Sequence, residues 1–286
     1  MALTLKQQSN ATGFPKPAEL IEITGTSGLE AQDRVIMNEL YRHAHDSGDL
    51  AKLGVQWAVS LAELNTTTHN GLERVRESLE RLMKVMLAVT YDTENGPETL
   101  LTGVFDYFII PQKGSPGATL KFSISAPLRA ILARSGRWGR IKAEVVHAMS
   151  SKYAIALYEL VRLRAGLRGT MTETFTYDRF RALLGVPVGT YAAGKDFQKF
   201  VIDPAVLEVN GLSEMGCKIE LIRVHSRAPI SKVMLGWWDK EPHEQRPAIQ
   251  ELNRSKLGRK ARLRGEVEIV GPAPALVQTD IEEFTK

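Results

Sequence analysis

The spacing of apolar residues in the second half of the chain predicts a helix-turn-helix followed by a β-hairpin. Residues 151–164 carry apolar side chains around most of the helix circumference, which indicates a buried helix. In chain order, the further predicted elements are a strand at 172–176, helices at 177–184 and 196–210, and two wing strands at 219–225 and 233–238. Pro204 is expected to kink or restart the helix over 196–210. This order is that of a winged helix, a unit that reads DNA.

A weaker copy of the same order lies earlier in the chain. Over residues 72–86, apolar residues recur at three and four positions, so one side of the predicted helix is apolar. Asn95-Gly96 joins two strand-like segments and is typical of a hairpin turn. The elements predicted here are a strand at 19–24, helices at 29–47, 59–64 and 72–86, strands at 87–92, 100–110 and 120–125, and a short helix at 127–133.

The two copies define the predicted fold class and domain organisation. The fold class is α+β, with two tandem winged-helix domains. The predicted boundaries are a flexible arm at 1–17, a first winged-helix domain at 18–140, a second at 141–240, and a tail at 241–286. Within the tail, residues 254–264 hold six basic residues and no acidic one, and residues 265–286 hold five acidic residues against one lysine. Such a tail is expected to be disordered.

Composition narrows the class of protein. The chain has 286 residues, of which 43% are hydrophobic and 24% charged, the balance of a globular protein with room for two domains. The net charge of +4 permits a polyanionic partner without requiring one. The single cysteine, Cys217, excludes an intrachain disulfide and is expected to be a passive strand residue. No segment has the pattern of a signal peptide or a membrane span, so a cytoplasmic protein without a membrane partner is expected.

One segment has the spacing of a phosphate-binding loop. Gly189 and Gly194-Lys195 match Gly-x4-Gly-Lys, but that loop should follow a buried parallel strand and continue with Ser or Thr. Here a predicted helix precedes it and Asp196 follows, so a glycine-rich turn is favoured and an ATP-using enzyme is the weakest hypothesis. No histidine, cysteine or carboxylate spacing indicates a metal site or a nucleophile with its base. The prediction is therefore a protein that is not an enzyme and has no cofactor.

The residues predicted to contact DNA lie on two helices and one wing. On the first helix, three glutamates lie near the basic stripe, so a solvated helix face is an equal alternative. The second helix is favoured because no glutamate lies among its polar residues, and because Gln can pair with adenine and Lys can reach guanine or phosphate. Wing residues would contact phosphates, which gives affinity and register. The predicted contacts are Asn70, Arg74, Arg81 and Lys84 on the first helix, Tyr191, Lys195, Gln198 and Lys199 on the second, and Arg223, Arg227 and Lys232 on the wing.

Three segments resemble one known family. They are Lys152–Glu159 (KYAIALYE), residues 197–210 (FQKFVIDPAVLEVN), and the N-terminal run that begins Lys16-Pro-Ala-Glu-Leu-Ile-Glu-Ile. They are similar to segments of the replication initiators of iteron-bearing plasmids (the RepA, RepB and RepE type), whose second winged domain carries the first two motifs. The likeness covers about residues 15–238.

The resemblance implies a set of partners and roles. Both winged domains would bind repeated double-stranded origin sequences, with the helix at 196–210 as the principal reader. The first domain would supply a dimer contact. Dimers would repress the protein's own gene, and monomers would open the origin and recruit the host replicative helicase and the host initiator protein. The family's reader helix is usually richer in Lys and Arg, and here Asp203 and Glu208 are expected to dilute its charge.

Two hypotheses from different classes therefore stand. The first is a non-enzymatic initiator of plasmid replication, and the second is a winged-helix transcriptional repressor with no role in replication. The initiator predicts tandem direct repeats beside its gene, whereas the repressor predicts a palindromic operator.

Overall fold

A computed structural model describes residues 13–50, 52, 54–64, 71–112, 117–167 and 169–266. Contacts between residues divide the chain into a unit of residues 1–254 and a small unit of residues 255–286. In the first half of the larger unit the elements are β1 (Phe14–Pro17), α1 (Ala18–Ile21), α2 (Ala31–Asp46), β2 (Trp57–Ser60), α3 (Leu61–Leu64), α4 (Gly71–Met83), β3 (Met86–Thr93), β4 (Gly96–Gly103), β5 (Phe105–Ile109), β6 (Thr119–Ile124), α5 (Ala126–Arg134) and β7 (Trp138–Ile141). They form a β3–β4 hairpin, a β2–β6–β5 sheet and a β1–β7 pair, all antiparallel.

The second half of this unit contains the second winged helix. Its elements are α6 (Ala143–Ala148), α7 (Lys152–Arg164), β8 (Thr172–Thr176), α8 (Tyr177–Leu184), α9 (Gly194–Phe197), a π segment (Gln198–Ile202), α10 (Asp203–Leu212), β9 (Met215–Arg223), β10 (Ile230–Asp239) and α11 (Pro242–Leu252). The strands form an antiparallel sheet in the order β8–β10–β9. The predictions for α7, β8, α8 and the two wing strands are confirmed.

The N-terminal predictions need correction. Residues 14–17 belong to no flexible arm, because β1 pairs with β7 and its four residues are buried. Tyr41 donates a hydrogen bond to the carbonyl of Pro15 at 3.0 Å, which also fixes this strand. The strand predicted at 19–24 is wrong, since α1 occupies its start. The prolines of β1 are tolerated because it belongs to a two-stranded pair, where each strand has a free edge.

Three further predictions fail where distant contacts override the local pattern. The helix predicted at 59–64 begins only at Leu61, because Trp57 and Val59 are buried in a strand that pairs with β6. The strand predicted at 100–110 breaks after Gly103 into β4, which pairs with β3, and β5, which pairs with β6. The tail predicted from residue 241 instead begins with α11, which has a Glu241–Glu244 capping box and packs on α10 and α6.

The helix predicted at 196–210 is continuous but irregular. The N–H of Asp203 donates to the carbonyl of Gln198, five residues back, which defines a π turn. Pro204 follows directly and has no N–H to bond to the carbonyl of Phe200 four residues before it. The expected disturbance at Pro204 is therefore present, as a π segment.

Helix α7 is the common core of the larger unit. It packs against α1, α2 and β7 from the first half and against α8, α10 and β9 from the second. Its apolar residues are buried nearly all round, as predicted. Gly139 of β7 lies so close that an added Cβ would stand 2.8 Å from the backbone nitrogen of Leu163.

A buried polar triad joins α7 to the N-terminal segment. Lys16 Nζ donates to Glu159 Oε1 and to Asn38 Oδ1, both at 2.8 Å, and Asn38 Nδ2 donates to the same Glu159 oxygen at 2.7 Å. The side chains of Lys16 and Glu159 are each only 1% exposed. Burial lowers the pKa of Lys16, and this outweighs the opposing effect of the Glu159 carboxylate. Each charge is therefore costly without its partner.

The smaller unit contains one helix among its described residues. Helix α12 (Arg259–Leu263) lies within the basic run at 254–264. Arg262 donates to the carbonyls of Leu257 and Ser255, at 2.7 Å and 2.6 Å. The acidic residues from 267 onward, predicted as a disordered tail, lie outside the described residues. Of the helices described, none is both long and apolar enough to span a bilayer.

We expect Lys16→Ala to lower the free energy of unfolding by about 3–5 kcal/mol, because it leaves the Glu159 carboxylate buried without its counter-ion. Lys52→Ala is the matched control. Its ion pair with Asp49 is exposed, with 70% of the Lys52 side chain accessible, and should contribute less than about 1 kcal/mol. Urea unfolding followed by circular dichroism measures both. Equal losses in the two variants would contradict a structural role for the triad.

Candidate DNA-binding surface

The second helix-turn-helix is built from local signals that the sequence carries. Thr176 caps α8 by accepting a hydrogen bond from the N–H of Arg179 at 3.4 Å. Gly185 ends α8 in the left-handed region, at φ 73°, as the sequence predicts. The turn that follows leads into the reader helix, which we define as residues 194–212 from α9 through α10.

Arg181 holds the turn between the two helices. Its guanidinium donates to the carbonyl of Tyr191 at 3.1 Å and also to the carbonyl of Thr190. The same group lies over the rings of Tyr177 and Phe197, at 5.4 Å and 5.1 Å from their centroids. Arg181 thus sets where the reader helix begins, a role that the sequence analysis did not assign.

The reader helix presents the predicted polar residues together. Lys195 and Lys199 are exposed one turn apart, and Gln198 is partly exposed beside them. The Gln198 side chain donates to the Asp203 carboxylate, so contact with a base would require it to exchange that partner. Tyr191 lies just before the helix and stacks on Phe200.

The wing lies against the start of the reader helix. A Cβ added to Gly194 would stand 2.3 Å from Ile230 Cδ1 and 2.9 Å from Arg223 Nη2, so only glycine fits there without a shift of those side chains. Arg223 Nη1 also donates to the carbonyl of Ala228 at 2.5 Å, which closes the wing tip. Arg227 at the tip and Lys232 on β10 are exposed. The start of the reader helix and the wing therefore lie side by side, and both carry exposed basic residues.

The first winged helix places its candidates differently. Arg81 Nε and Nη2 donate to the two carboxylate oxygens of Asp33, at 2.7 Å and 2.9 Å. The hydrogen bond to Asp33 raises the pKa of Arg81. Arg74 and Lys84 are exposed, but so are Glu73, Glu77 and Glu80 nearby. Asn70 lies outside the described residues.

Two family models match this chain in the order that the fold suggests. The model described as "Initiator Replication protein, WH1" matches residues 18–162, and the model described as "Initiator Rep protein, WH2" matches residues 176–233. The chain belongs to the initiator Rep protein family. The suspected family and the tandem winged-helix fold class are thus confirmed. The first family model runs through most of α7, and the domain boundary near residue 140 stays a prediction.

One solved structure supports the fold of this Rep protein. It is similar to the crystal structure of the Pi initiator protein in complex with iteron DNA, with a TM-score of 0.57 and 16% identity over 82% of this chain and 100% of that chain. At that identity the likeness shows the fold alone. The WH1 domain of MSBI1.176, a replication protein isolated from a multiple sclerosis patient, matches with a TM-score of 0.26 and 13% identity over 36% of this chain and 81% of that chain, and it supports no further conclusion. No curated protein sequence matches this chain.

Several residues of the resembling motifs are structural in this Rep protein. Glu208 is buried and accepts hydrogen bonds from the N–H and hydroxyl of Ser150, just before α7. Contrary to the expectation from sequence, Glu208 therefore does not reduce the positive charge of the exposed face, whereas Asp203 is exposed and does. The Asn210 amide accepts a hydrogen bond from the N–H of Cys217 at 2.7 Å and donates one to its carbonyl at 3.0 Å. Burial raises the pKa of the Cys217 thiol to about 12, which agrees with a passive strand residue.

The segment with phosphate-loop spacing is part of the helix-turn-helix in this Rep protein. Residues 189–193 lead into the reader helix, and the element that precedes them is the helix α8, not a strand. Gly194 packs against the wing, as described above. The segment therefore has the setting of an interhelical turn. Among the described residues, no group of three or more histidine, cysteine or acidic side chains could hold a metal ion.

We expect Arg81→Ala to lower the free energy of unfolding by about 1–3 kcal/mol, because the fully buried Asp33 carboxylate loses a charged partner. Arg74→Ala is the control on the same helix and should change stability by less than about 0.5 kcal/mol. Thermal and urea unfolding provide the measurement. Weaker DNA binding by Arg81→Ala at unchanged stability would show instead that Arg81 faces DNA.

Proposed function

We propose that this Rep protein initiates plasmid replication by binding directly repeated sequences, or iterons, at the plasmid origin. The observation that carries the proposal is a helix-turn-helix packed against a wing, both with exposed basic residues, in a member of the initiator family. A winged helix of this form can lay its reader helix in a major groove while its wing contacts phosphates. The Pi initiator, which shares the fold, was crystallised in complex with iteron DNA.

The proposed contacts differ between the two winged helices. The second is the principal reader through Lys195, Gln198 and Lys199, with Tyr191 beside them and Arg223, Arg227 and Lys232 on the phosphates. The first contributes Arg74, Lys84 and Asn70 to backbone contact. We leave Arg81 out because its guanidinium is engaged by Asp33.

The proposal includes the later steps of initiation. Monomers would bind the repeats, help to open the origin, and recruit the host replicative helicase and the host initiator protein. Dimers, joined through the first winged-helix domain, would repress the protein's own gene. The bacterial cytoplasm is the setting that this proposal requires. The family assignment supports these steps, and no catalytic chemistry of the chain itself is needed for them.

The proposed function predicts that the gene with its flanking DNA sustains a plasmid that has no other origin, and that a stop codon in the gene abolishes that replication. DNase footprinting should show protection of tandem direct repeats spaced by about two helical turns. A transcriptional repressor with the same surface is the alternative. It would protect a palindromic operator, and the plasmid's copying would not depend on the protein.

Two substitutions should separate base reading from phosphate contact. We expect Lys199→Ala to weaken binding to the repeat by about 1–3 kcal/mol with little change on random duplex, since Lys199 is proposed to reach a base. Arg227→Ala should weaken binding to both duplexes alike. It should also reduce the magnitude of the slope of log K against log salt by about one. Gel-shift titrations at several salt concentrations test both. Unchanged repeat affinity in Lys199→Ala would remove it from the base contacts.

A further inference from the structure

Phe200, an aromatic residue that helical periodicity places on a buried face, lies on the candidate DNA-binding surface instead. The sequence pattern puts Phe200 on one face with Phe197 and Val201. Those two side chains are fully buried, but Phe200 is 47% exposed. It lies in the π segment, where each turn holds an extra residue and the buried side shifts to Val201 and Ile202. Its ring is therefore free to contact a ligand beside the reader lysines.

Contacts within the protein hold the Phe200 ring in place. The ring stacks on Tyr191, with 5.5 Å between centroids and 27° between planes. Tyr191 has a φ of 52°, in the left-handed region that residues other than glycine rarely adopt, and Arg181 bonds its carbonyl. Preorganisation of this kind lowers the entropic cost of binding. The two stacked rings are thus held in one position beside the exposed lysines.

The chemistry around the ring indicates what it contacts. Lys199 Nζ lies 5.2 Å from the ring centroid, and Lys195 is exposed one turn earlier. The exposed Asp203 on the same segment accepts a hydrogen bond from Gln198, so the two lysines are the groups left for an anion. A ligand suited to this ring and these lysines combines negative charge with a small apolar group. The major groove of DNA does so, because thymine displays a C5-methyl group there, and Phe is among the side chains that contact it. The surrounding positive charge favours this occupant over an apolar protein partner.

We propose that Phe200 is a specificity-determining residue that contacts the C5-methyl group of a thymine in each repeat, and that Tyr191 is its positioning residue. This inference rests on the proposed function, because it requires the reader helix to lie in the major groove. It adds an apolar contact to the polar contacts of Lys195, Gln198 and Lys199.

The test is a uracil scan of the binding site. The wild-type protein first selects its site from a random duplex library. Each thymine of that site is then replaced singly by uracil, which removes only the methyl group. Fluorescence anisotropy gives the affinity of the wild type, Phe200→Ala and Ile249→Ala for every duplex. Ile249 on α11 is 54% exposed and lies outside the proposed contacts, so it controls for the loss of an exposed apolar side chain.

We expect uracil at one thymine to weaken wild-type binding about fourfold, the effect of withdrawing one buried methyl group. Phe200→Ala should bind the thymine and uracil forms of that duplex equally and keep the wild-type profile at other positions. Ile249→Ala should match the wild type throughout. Tyr191→Ala should reduce the discrimination at the same position, and Tyr191→Phe, which keeps the stacked ring, should restore it.

Different failures would point to different causes. Identical scans for wild type and Phe200→Ala, with site selection intact, would overturn this inference and leave the proposed function standing. A wild-type protein that selects no sequence would overturn both. Melting temperatures check that the variants are folded, and Phe200→Gln provides the same test if Phe200→Ala melts early.

Discussion

The buried ion pair between Lys16 and Glu159 constrains how the whole larger unit is assembled. A charge removed from water is costly unless a group of opposite charge bonds to it. Here the ammonium comes from β1, the carboxylate from α7, and the amide that bonds to both comes from Asn38 of α2. The triad therefore forms only when β1, α2 and α7 come together, and α7 is more than 100 residues from the other two in sequence. Because α7 also packs on α8 and α10, the same arrangement fixes the base on which the reader helix lies.

This constraint explains why several residues of the family's motifs hold the fold together. Lys16 opens one resembling segment and Glu159 closes another, and the two meet in the core. Two residues of the segment at 197–210 have similar roles. Glu208 bonds to the residues just before α7, and Asn210 bonds to β9. Their roles are structural, and the chemistry that would select DNA lies on positions between them. Lys195, Lys199 and Phe200 are exposed on this helix, whereas most of the other motif residues face inward.

The sequence predicts those elements whose signals are local. Helix α7 is apolar nearly all round, and α8 has a capping threonine and a terminal glycine, so both were predicted close to their true bounds. The strand β8 was also predicted at its true bounds, whereas the two wing strands were predicted but begin three or four residues earlier than expected. β1, β2 and α11 were missed because they depend on distant partners: β7, β6 and the faces of α10 and α6. Contact of the reader helix and wing with DNA stays a prediction, but the exposure of their basic residues was predictable from the helix-turn-helix and hairpin pattern. The engagement of Arg81 was not, since Asp33 lies forty-eight residues earlier in the chain.

The π segment shows why a helical pattern alone cannot identify the residues that face a groove. An α-helical period applied from Phe197 onward places Phe200 inward. Pro204 denies the Phe200 carbonyl its usual donor, and the N–H of Asp203 instead reaches back five residues to Gln198. This change of phase lets Val201 and Ile202 both pack inward while Phe200 turns out. The side chains that this helix exposes therefore depend on a backbone irregularity, the π segment. A related chain with a regular helix at this point would present a different set of residues, even with the same amino acids on either side.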